Sequence, residues 1–292
     1  MKKWLLLLSA LLCLPALAAP LPVAASFSIL GDLVQNVGGE RIQLVTLVGP
    51  EQDAHIFQPT PADVQKLGGT RLFFINGLGF EGWQKRLQQA SNYRGKVITV
   101  TQGISPLAMK DEQHGHSLDP HAWQDPVRVQ QMVKNIAEAL STADPAGAAD
   151  YQARAASYSK KIDQLMAWAQ QEVASVPPGK RVVLTSHDAF AYLGQRFGIR
   201  LISPQGVSTE SEASAKDVAR LIRQMKKEGI RALFMENISN PKLIEQIARE
   251  TGTQPGAKLY SDALSRDAAT GNYLGMYRHN IGALVAGMKE NK

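Results

Sequence analysis

Apolar residues along this chain follow two alternating patterns. Short continuous apolar runs predict buried strands, and stretches in which apolar residues recur every three or four positions predict helices. The alternation of strand and helix implies parallel sheets covered by helices on both faces. Strands are predicted at residues 23–27, 43–48, 71–75, 96–100, 181–185, 199–202, 231–235 and 257–260, and helices at residues 29–37, 61–68, 81–90, 126–140, 188–197, 218–225, 243–247 and 273–288.

Several of these helices carry a recognisable start signal. Asp125 followed by Pro126 has the form of an N-cap and a first helical residue, and Thr60 followed by Pro61 repeats the arrangement. A histidine, His121, stands just ahead of the first of these signals. The sequence therefore places His121 in a loop that a helix fixes at one end.

One stretch differs from the rest. Residues 148–174 contain no glycine or proline and carry apolar residues at steps of three and four. At about 1.5 Å per residue this helix spans roughly 40 Å, the length of a whole domain. The alternative is a coiled coil that pairs with another chain. The stretch covers fewer than about four heptads, which is short for a coiled coil. We predict two α/β lobes, each a mainly parallel sheet flanked by helices, joined by one long rigid helix: residues 19–147, 148–176 and 177–292.

The first 18 residues have the order of a secretory signal. Lys2 and Lys3 precede an apolar run over residues 4–12, and small residues follow at Ala16 and Ala18. The run is too short to span a bilayer, which takes roughly 20 residues. We expect cleavage after residue 18 and a soluble protein in the periplasm.

The cysteine content and the charge of the chain limit the kinds of site and partner that it can have. Cys13, the only cysteine, lies inside the predicted signal, so the exported chain has no disulfide, thiolate nucleophile or Cys-ligated metal. Any metal must be held by His, Asp or Glu. Lys2 and Lys3 account for two of the six net positive charges, and the other basic residues are interspersed with acids. Nucleic-acid binding is therefore unsupported.

Metal-capable side chains follow the predicted strands and precede one helix. In parallel α/β sheets ligands bind beyond the carboxyl ends of the strands. Four residues qualify, two in each lobe: His55, His121, His187 and Asp262. Three neutral imidazoles and one carboxylate make a closed tetrahedral set suited to Zn²⁺. Loops at strand ends are also rich in polar residues for other reasons. From spacing alone, a metal site in the cleft is therefore a hypothesis.

The remaining candidates have simpler interpretations. His114 and His116 lie in a polar, glycine-containing segment, which is more typical of a solvated loop with weak metal affinity than of half a defined site. We expect both to lie outside the main site. His279 is expected to be a surface or capping residue. Glu236 is expected to make a hydrogen bond, either to a metal ligand or in a structural role, without binding metal itself.

Five segments of the chain resemble a known family. They are DAHIFQPTPAD (53–63), NGLGFEGW (76–83), DPHAWQDP (119–126), TSHDAFAYLGQRFGI (185–199) and YSDALS (260–265). In order, and across the chain that follows the signal, they resemble the zinc and manganese substrate-binding proteins of bacterial ABC transporters, the cluster A-I family. The resemblance implies two lobes, a rigid linking helix and a metal bound by His55, His121, His187 and Asp262.

The resemblance also implies a function. A protein of this kind is not an enzyme: it is a periplasmic monomer that binds Zn²⁺ as cargo and delivers it to an inner-membrane ABC permease, with a periplasmic zinc chaperone as a further candidate partner. The third ligand position is His in zinc-type members and usually Glu in manganese or iron types. His187 therefore points to zinc.

Rival functions remain open at this stage. A manganese or iron carrier of the same class differs only at His187. An exported zinc hydrolase needs an open coordination position and a general base, and signatures such as H-E-x-x-H are absent. Some members of the family were once described as surface adhesins, which the expected soluble export disfavours. Changing Asp262 separates an enzyme, which loses a base, from a carrier, which loses affinity.

Overall fold

The first lobe is built on a parallel sheet. The computed structural model describes residues 19–111 and 115–292, and its first sheet has the strand order β2-β1-β3-β4. All three strand pairs are parallel, so the carboxyl ends of the strands meet at one edge. The strands are β1 (Leu21–Phe27), β2 (Ile42–Val48), β3 (Leu72–Ile75) and β4 (Lys96–Thr99).

Helices with the predicted start signals cover this sheet. The Asp125 carboxylate accepts a hydrogen bond from the Val127 backbone N–H at 3.1 Å, and Pro126 is the first helical residue. Thr60 and Asp63 form a reciprocal capping box. These caps satisfy backbone donors that the first helical turn leaves free. The helices are α1 (Ser28–Gly38), α2 (Pro61–Gly68), α3 (Gln84–Ala90) and α4 (Pro126–Ala143).

A hairpin replaces part of the predicted solvated loop ahead of His121. Strands β5 (Ala108–Asp111) and β6 (Gly115–Leu118) pair antiparallel, with Lys110 opposite His116. The backbone of His116 therefore lies in a strand, and the prediction of a loop there is wrong. His114 and the predicted signal at residues 1–18 lie outside the described residues.

The long helix predicted between the lobes is α5 (Ala148–Ala174). One face of α5 is buried throughout its length. The helix packs against α1 and α4 of the first lobe and against the last helix, α9 (Tyr273–Lys289). Its apolar stripe is therefore used within the chain. The buried positions are Tyr151, Ala155, Tyr158, Ile162, Leu165, Ala169 and Val173.

The second lobe has a smaller parallel sheet. Strands β7 (Val182–Leu184) and β8 (Arg200–Ile202) pair in parallel. The strands predicted at residues 231–235 and 257–260 reduce to isolated parallel bridges, which join Leu233 to Leu184 and Leu259 to Glu236. The bridges continue the sheet from β7. The loops that follow these strands therefore again lie at the carboxyl edge of the sheet.

The second lobe shares the core of the first. One apolar cluster runs from the first sheet through α5 to α9, and a smaller one lies behind β7. Among the helices of residues 19–111 and 115–292, none is both long enough and apolar enough to cross a bilayer. The helices after α5 are α6 (Ala191–Phe197), α7 (Ala215–Glu228), α8 (Lys242–Thr251) and α9 (Tyr273–Lys289).

Candidate metal centre

The structure brings all four predicted site residues together. His55, His121, His187 and Asp262 each offer one ligand atom, and these atoms lie within 4.8 Å of one another. Asp262 Oδ2 lies 3.2 Å from His55 Nε2 and 3.1 Å from His187 Nε2, and Asp262 Oδ1 lies 3.6 Å from His121 Nε2. His121, His187 and Asp262 are fully buried, and His55 is 8% exposed. The four side chains therefore form one compact polar group where the two lobes meet.

Buried polar atoms at this position lack ordinary partners. The Nε2 atoms of His55, His121 and His187 and both carboxylate oxygens of Asp262 have no hydrogen-bond partner of good geometry within the described part of the chain. Buried polar atoms are normally paired, since an unpaired one costs free energy. An arrangement of this kind fits a set of metal ligands, whose free lone pairs are satisfied when a cation binds.

Two of the imidazoles have a buried carboxylate behind them. Asp119 Oδ1 lies 2.7 Å from His121 Nδ1 and accepts the His121 backbone N–H at 2.9 Å. Glu236 Oε2 lies 2.6 Å from His187 Nδ1, and Glu236 Oε1 accepts the His187 backbone N–H at 3.0 Å. A carboxylate at Nδ1 holds the proton there and leaves the Nε2 lone pair facing the centre. Glu236 has the supporting role expected of it, whereas the role of Asp119 was missed.

The charges of the site favour a cation. Burial alone lowers the pKa of His121, but Asp262 and Asp119 outweigh it and raise that pKa to about 9. Burial likewise lowers the pKa of His187, and the carboxylates of Glu236 and Asp262 raise it well above its usual value. Burial raises the pKa of Asp262, but His187 and His121 hold it well below its usual range. A metal ion bound here takes the place of protons on the imidazoles.

His55 is held differently from the other two histidines. Its backbone N–H donates to Asp53 Oδ1 at 2.8 Å, and the carbonyl of the preceding Ala54 accepts the indole N–H of Trp83 at 2.8 Å. The ring of His55 packs edge-on against Phe80, with 4.8 Å between ring centroids. Backbone contacts and aromatic packing therefore orient His55.

The loop that carries Asp262 is fixed from the opposite lobe. The carbonyl of Ser261 accepts the indole N–H of Trp123 and the amide N–H of Gln124, both at 2.8 Å. Trp123 is itself buried. Its hydrogen bond spans 138 residues of chain, which no local sequence pattern reveals.

One described histidine outside the group, His279, has a separate environment. His279 lies in α9, where its Nε2 contacts the Lys258 carbonyl oxygen at 2.8 Å, as expected of a surface or capping residue. His116 belongs to β6, and His114 lies outside the described residues.

Replacing Glu236 by Gln should weaken metal binding by about 10–100-fold, the usual cost of losing a partner behind a ligand. In one orientation the NH₂ group of Gln faces His187 Nδ1, and the ring loses its preferred tautomer. In the other it faces the His187 backbone N–H, and that hydrogen bond is lost. Competition with a chromophoric chelator measures the affinity. Glu245→Gln on the exposed face of α8 is the matched control. Unchanged affinity in Glu236→Gln, with folding verified by circular dichroism, contradicts this role.

Comparison with known proteins identifies relatives along almost the whole chain. The family model described as "ZnuA: Zinc-uptake complex component A periplasmic" matches residues 23–287. The zinc-binding protein TroA of Treponema pallidum is 33% identical over 275 residues, covering 91% of this chain and 88% of TroA. The solved structure of periplasmic zinc-binding TroA superposes with a TM-score of 0.86 at 30% identity, covering 93% of this chain and 99% of that one.

Other relatives are named for different metals. The manganese-binding lipoprotein MntA of Bacillus subtilis is 30% identical, covering 92% of this chain and 90% of MntA. The iron-binding protein YfeA of Yersinia pestis is also 30% identical, covering 83% of this chain and 78% of YfeA. Proteins of this family bind solutes and are not enzymes, which excludes the zinc hydrolase considered above. The chain belongs to the ZnuA family, the metal-binding substrate-binding proteins that work with the membrane permeases of ABC transporters.

Proposed function

We propose that this protein is the zinc-binding component of an ABC importer, which captures Zn²⁺ in the periplasm and delivers it to an inner-membrane permease. The ligands are His55, His121, His187 and Asp262. The convergence of three imidazole Nε2 atoms and one carboxylate on one buried point is the observation that carries this proposal.

The spacing of the group supports a tetrahedral ion. Zinc bonds of about 2.0–2.1 Å in a tetrahedron set neighbouring ligand atoms about 3.3 Å apart. Asp262 Oδ2 lies 3.2 Å from His55 Nε2 and 3.1 Å from His187 Nε2, close to this value, while the third imidazole, His121, lies 3.6 Å from the other oxygen, Oδ1. All four ligand atoms lie within 4.8 Å of one another, so the more distant of them must approach to close the tetrahedron around the ion.

The types of ligand support zinc as the metal and transport as the function. Neutral imidazole suits zinc better than manganese, which favours oxygen ligands. Four protein ligands leave no coordination position for a water molecule, so the zinc is held and not used for catalysis. A closed site of this kind is suited to an ion that the protein binds for transport.

A manganese or iron carrier is the second candidate, and two relatives, MntA and YfeA, carry those metals in their names. The distinction rests on His187. An imidazole at this position favours zinc, and a carboxylate would favour the harder ions.

The sequence pattern supports the rest of the proposal. Removal of residues 1–18 leaves a mature monomer with lobes at residues 19–147 and 177–292 and a linking helix at residues 148–176. A periplasmic zinc chaperone is a further candidate partner. The mass of the mature protein recovered from the periplasm tests cleavage before Ala19.

Metal analysis tests the proposed cargo. The protein is expressed with its signal in medium that contains zinc, manganese and iron, and is purified without chelator. We expect one zinc per chain. Manganese or iron in its place supports the second candidate, and a protein that neither contains nor takes up any of these metals contradicts both.

A further inference from the structure

Access to the site requires part of the protein to move. His121, His187 and Asp262 are fully buried, and the side chain of His55 is 6% exposed. If the proposed function holds, metal must nevertheless pass in and out. Given that function, a contact near the ligands must control the passage.

The lobes are tightly joined around His121. Asp125, just after it, forms a two-point ion pair with Arg196 of the second lobe, at 2.9 and 2.8 Å. The hydroxyl of Tyr192 donates to the Asp119 carbonyl at 2.7 Å. Several buried or half-buried bonds would have to break together for the lobes to part here.

The segment that carries His55 is less constrained. Residues 49–60 form no helix or strand, and Ile56 is 55% exposed. A backbone hydrogen bond of 2.9 Å joins the Glu51 N–H to the Leu264 carbonyl at the start of the segment. A shift of this segment must break that bond, the Trp83 bond to the Ala54 carbonyl and the packing of His55 on Phe80. It leaves the ion pair of Asp125 with Arg196 in place.

One carboxylate links this segment to the second lobe. Asp53 Oδ1 accepts the His55 backbone N–H at 2.8 Å, and Asp53 Oδ2 accepts the Thr209 hydroxyl at 2.6 Å. Asp53 and Thr209 are both half-buried. Hydrogen bonds to a charged group are stronger than those between neutral groups, and partial burial strengthens them further.

The loop that supplies Thr209 also contacts the His187 side of the site. In this loop, residues 203–214, the Gly206 carbonyl accepts the backbone N–H of Asp188 at 3.1 Å. Asp188 follows His187 directly in the chain. The loop therefore connects the neighbours of two ligands that lie on opposite sides of the cleft.

We propose that Asp53 and Thr209 form a latch across the cleft that holds His55 in place and sets the rates of metal capture and release. Both are positioning residues: Asp53 contacts the backbone N–H of His55, Thr209 contacts the Asp53 carboxylate, and neither of these bonds involves a metal-facing atom. Loss of the latch lets the segment open more often, so that capture and release both become faster while the equilibrium affinity changes little.

Thr209→Val removes the hydroxyl and keeps the shape of the side chain. We expect zinc release to become about tenfold faster, equivalent to about 1.4 kcal/mol. Capture should accelerate in parallel. Stopped-flow mixing of the zinc-loaded protein with excess chromophoric chelator measures release, and mixing of metal-free protein with zinc measures capture, with Trp83 and Trp123 as nearby fluorophores.

Three further variants make the test specific. Thr209→Ser keeps the hydroxyl and should release zinc at the wild-type rate. Ser208→Ala, the matched control, removes a neighbouring hydroxyl that accepts only a bond from within its own loop, the Glu210 N–H at 3.2 Å. In an Asp53→Ala background, Thr209→Val should have no further effect, because the two changes remove the same bond. A release rate in Thr209→Val within about twofold of wild type, or effects that add in the double variant, overturns the latch.

Amide hydrogen exchange separates the latch from the proposed function. Exchange over residues 53–57 of the full chain should be faster in Thr209→Val than in wild type. If no variant binds zinc, the proposed function fails and the latch fails with it as a control on metal. If zinc binds tightly but neither release nor exchange changes in Thr209→Val, the latch alone is wrong.

Discussion

Replacing Asp262 by Asn should abolish tight metal binding while the fold survives. The carboxylate lies between the three imidazoles and supplies the negative charge at the centre of the site. Loss of residues behind a ligand already costs about 10–100-fold in affinity, so loss of a ligand should cost more than about 100-fold. Competition titration with zinc measures the change.

The fold should survive because Asp262 contacts the three imidazoles, whereas its loop is held by the bonds from Trp123 and Gln124 to the Ser261 carbonyl. Thermal unfolding of the metal-free variant checks this. Asp267→Asn is the matched control, since it removes an exposed carboxylate five residues farther along. Zinc affinity within about tenfold of wild type in Asp262→Asn would show that the carboxylate is not a ligand.

Replacing His187 by Glu should move the metal preference toward Mn²⁺ by at least about tenfold, because an anionic oxygen ligand takes the place of a neutral imidazole. Zinc affinity should fall at the same time. Competition between Zn²⁺ and Mn²⁺ on each variant measures the preference. His279→Gln is the control, because it changes a histidine that contacts Lys258 outside the site.

The structure adds a complication to this variant. Glu236 lies 2.6 Å from His187 Nδ1, so a glutamate at position 187 would meet a second buried carboxylate. Like charges this close oppose each other, which destabilises the metal-free protein. The double variant His187→Glu with Glu236→Gln should bind manganese more tightly than His187→Glu alone. Unchanged zinc affinity in His187→Glu counts against His187 as a ligand.

The elements that depend on local chemistry were predicted well from the sequence. Helix α5 has the predicted bounds because its apolar spacing is uninterrupted and glycine and proline flank it. Helix α2 begins and ends as predicted, with Thr60 as its N-cap. Hydrophobic period and capping act within a few residues of chain, so a single sequence displays them.

Errors arose where distant contacts decide the local structure. Helix α3 begins at Gln84, three residues later than predicted, because Glu81 instead accepts the backbone N–H groups of Asn76 and Gly77. The strands predicted at residues 231–235 and 257–260 have the right composition but pair only through isolated bridges. The hairpin of β5 and β6 lacks strong apolar alternation and was missed.

The same limit applies to the site. Its four central residues follow strands or precede a helix, which is why the sequence suggested them. Their supports come from other parts of the chain: Glu236 lies 49 residues from His187, and Thr209 lies 156 residues from Asp53. Asp119 was the exception that could have been found, since it stands two residues before His121 in an Asp-Pro-His sequence.

The most direct test of the account is a competition between zinc and manganese on the wild-type protein. The metal-free chain is dialysed against equal free concentrations of Zn²⁺ and Mn²⁺, and the bound metal is measured by elemental analysis. Three imidazoles and one carboxylate predict one zinc per chain and almost no manganese. Manganese bound in preference to zinc would contradict the assignment of zinc as the cargo.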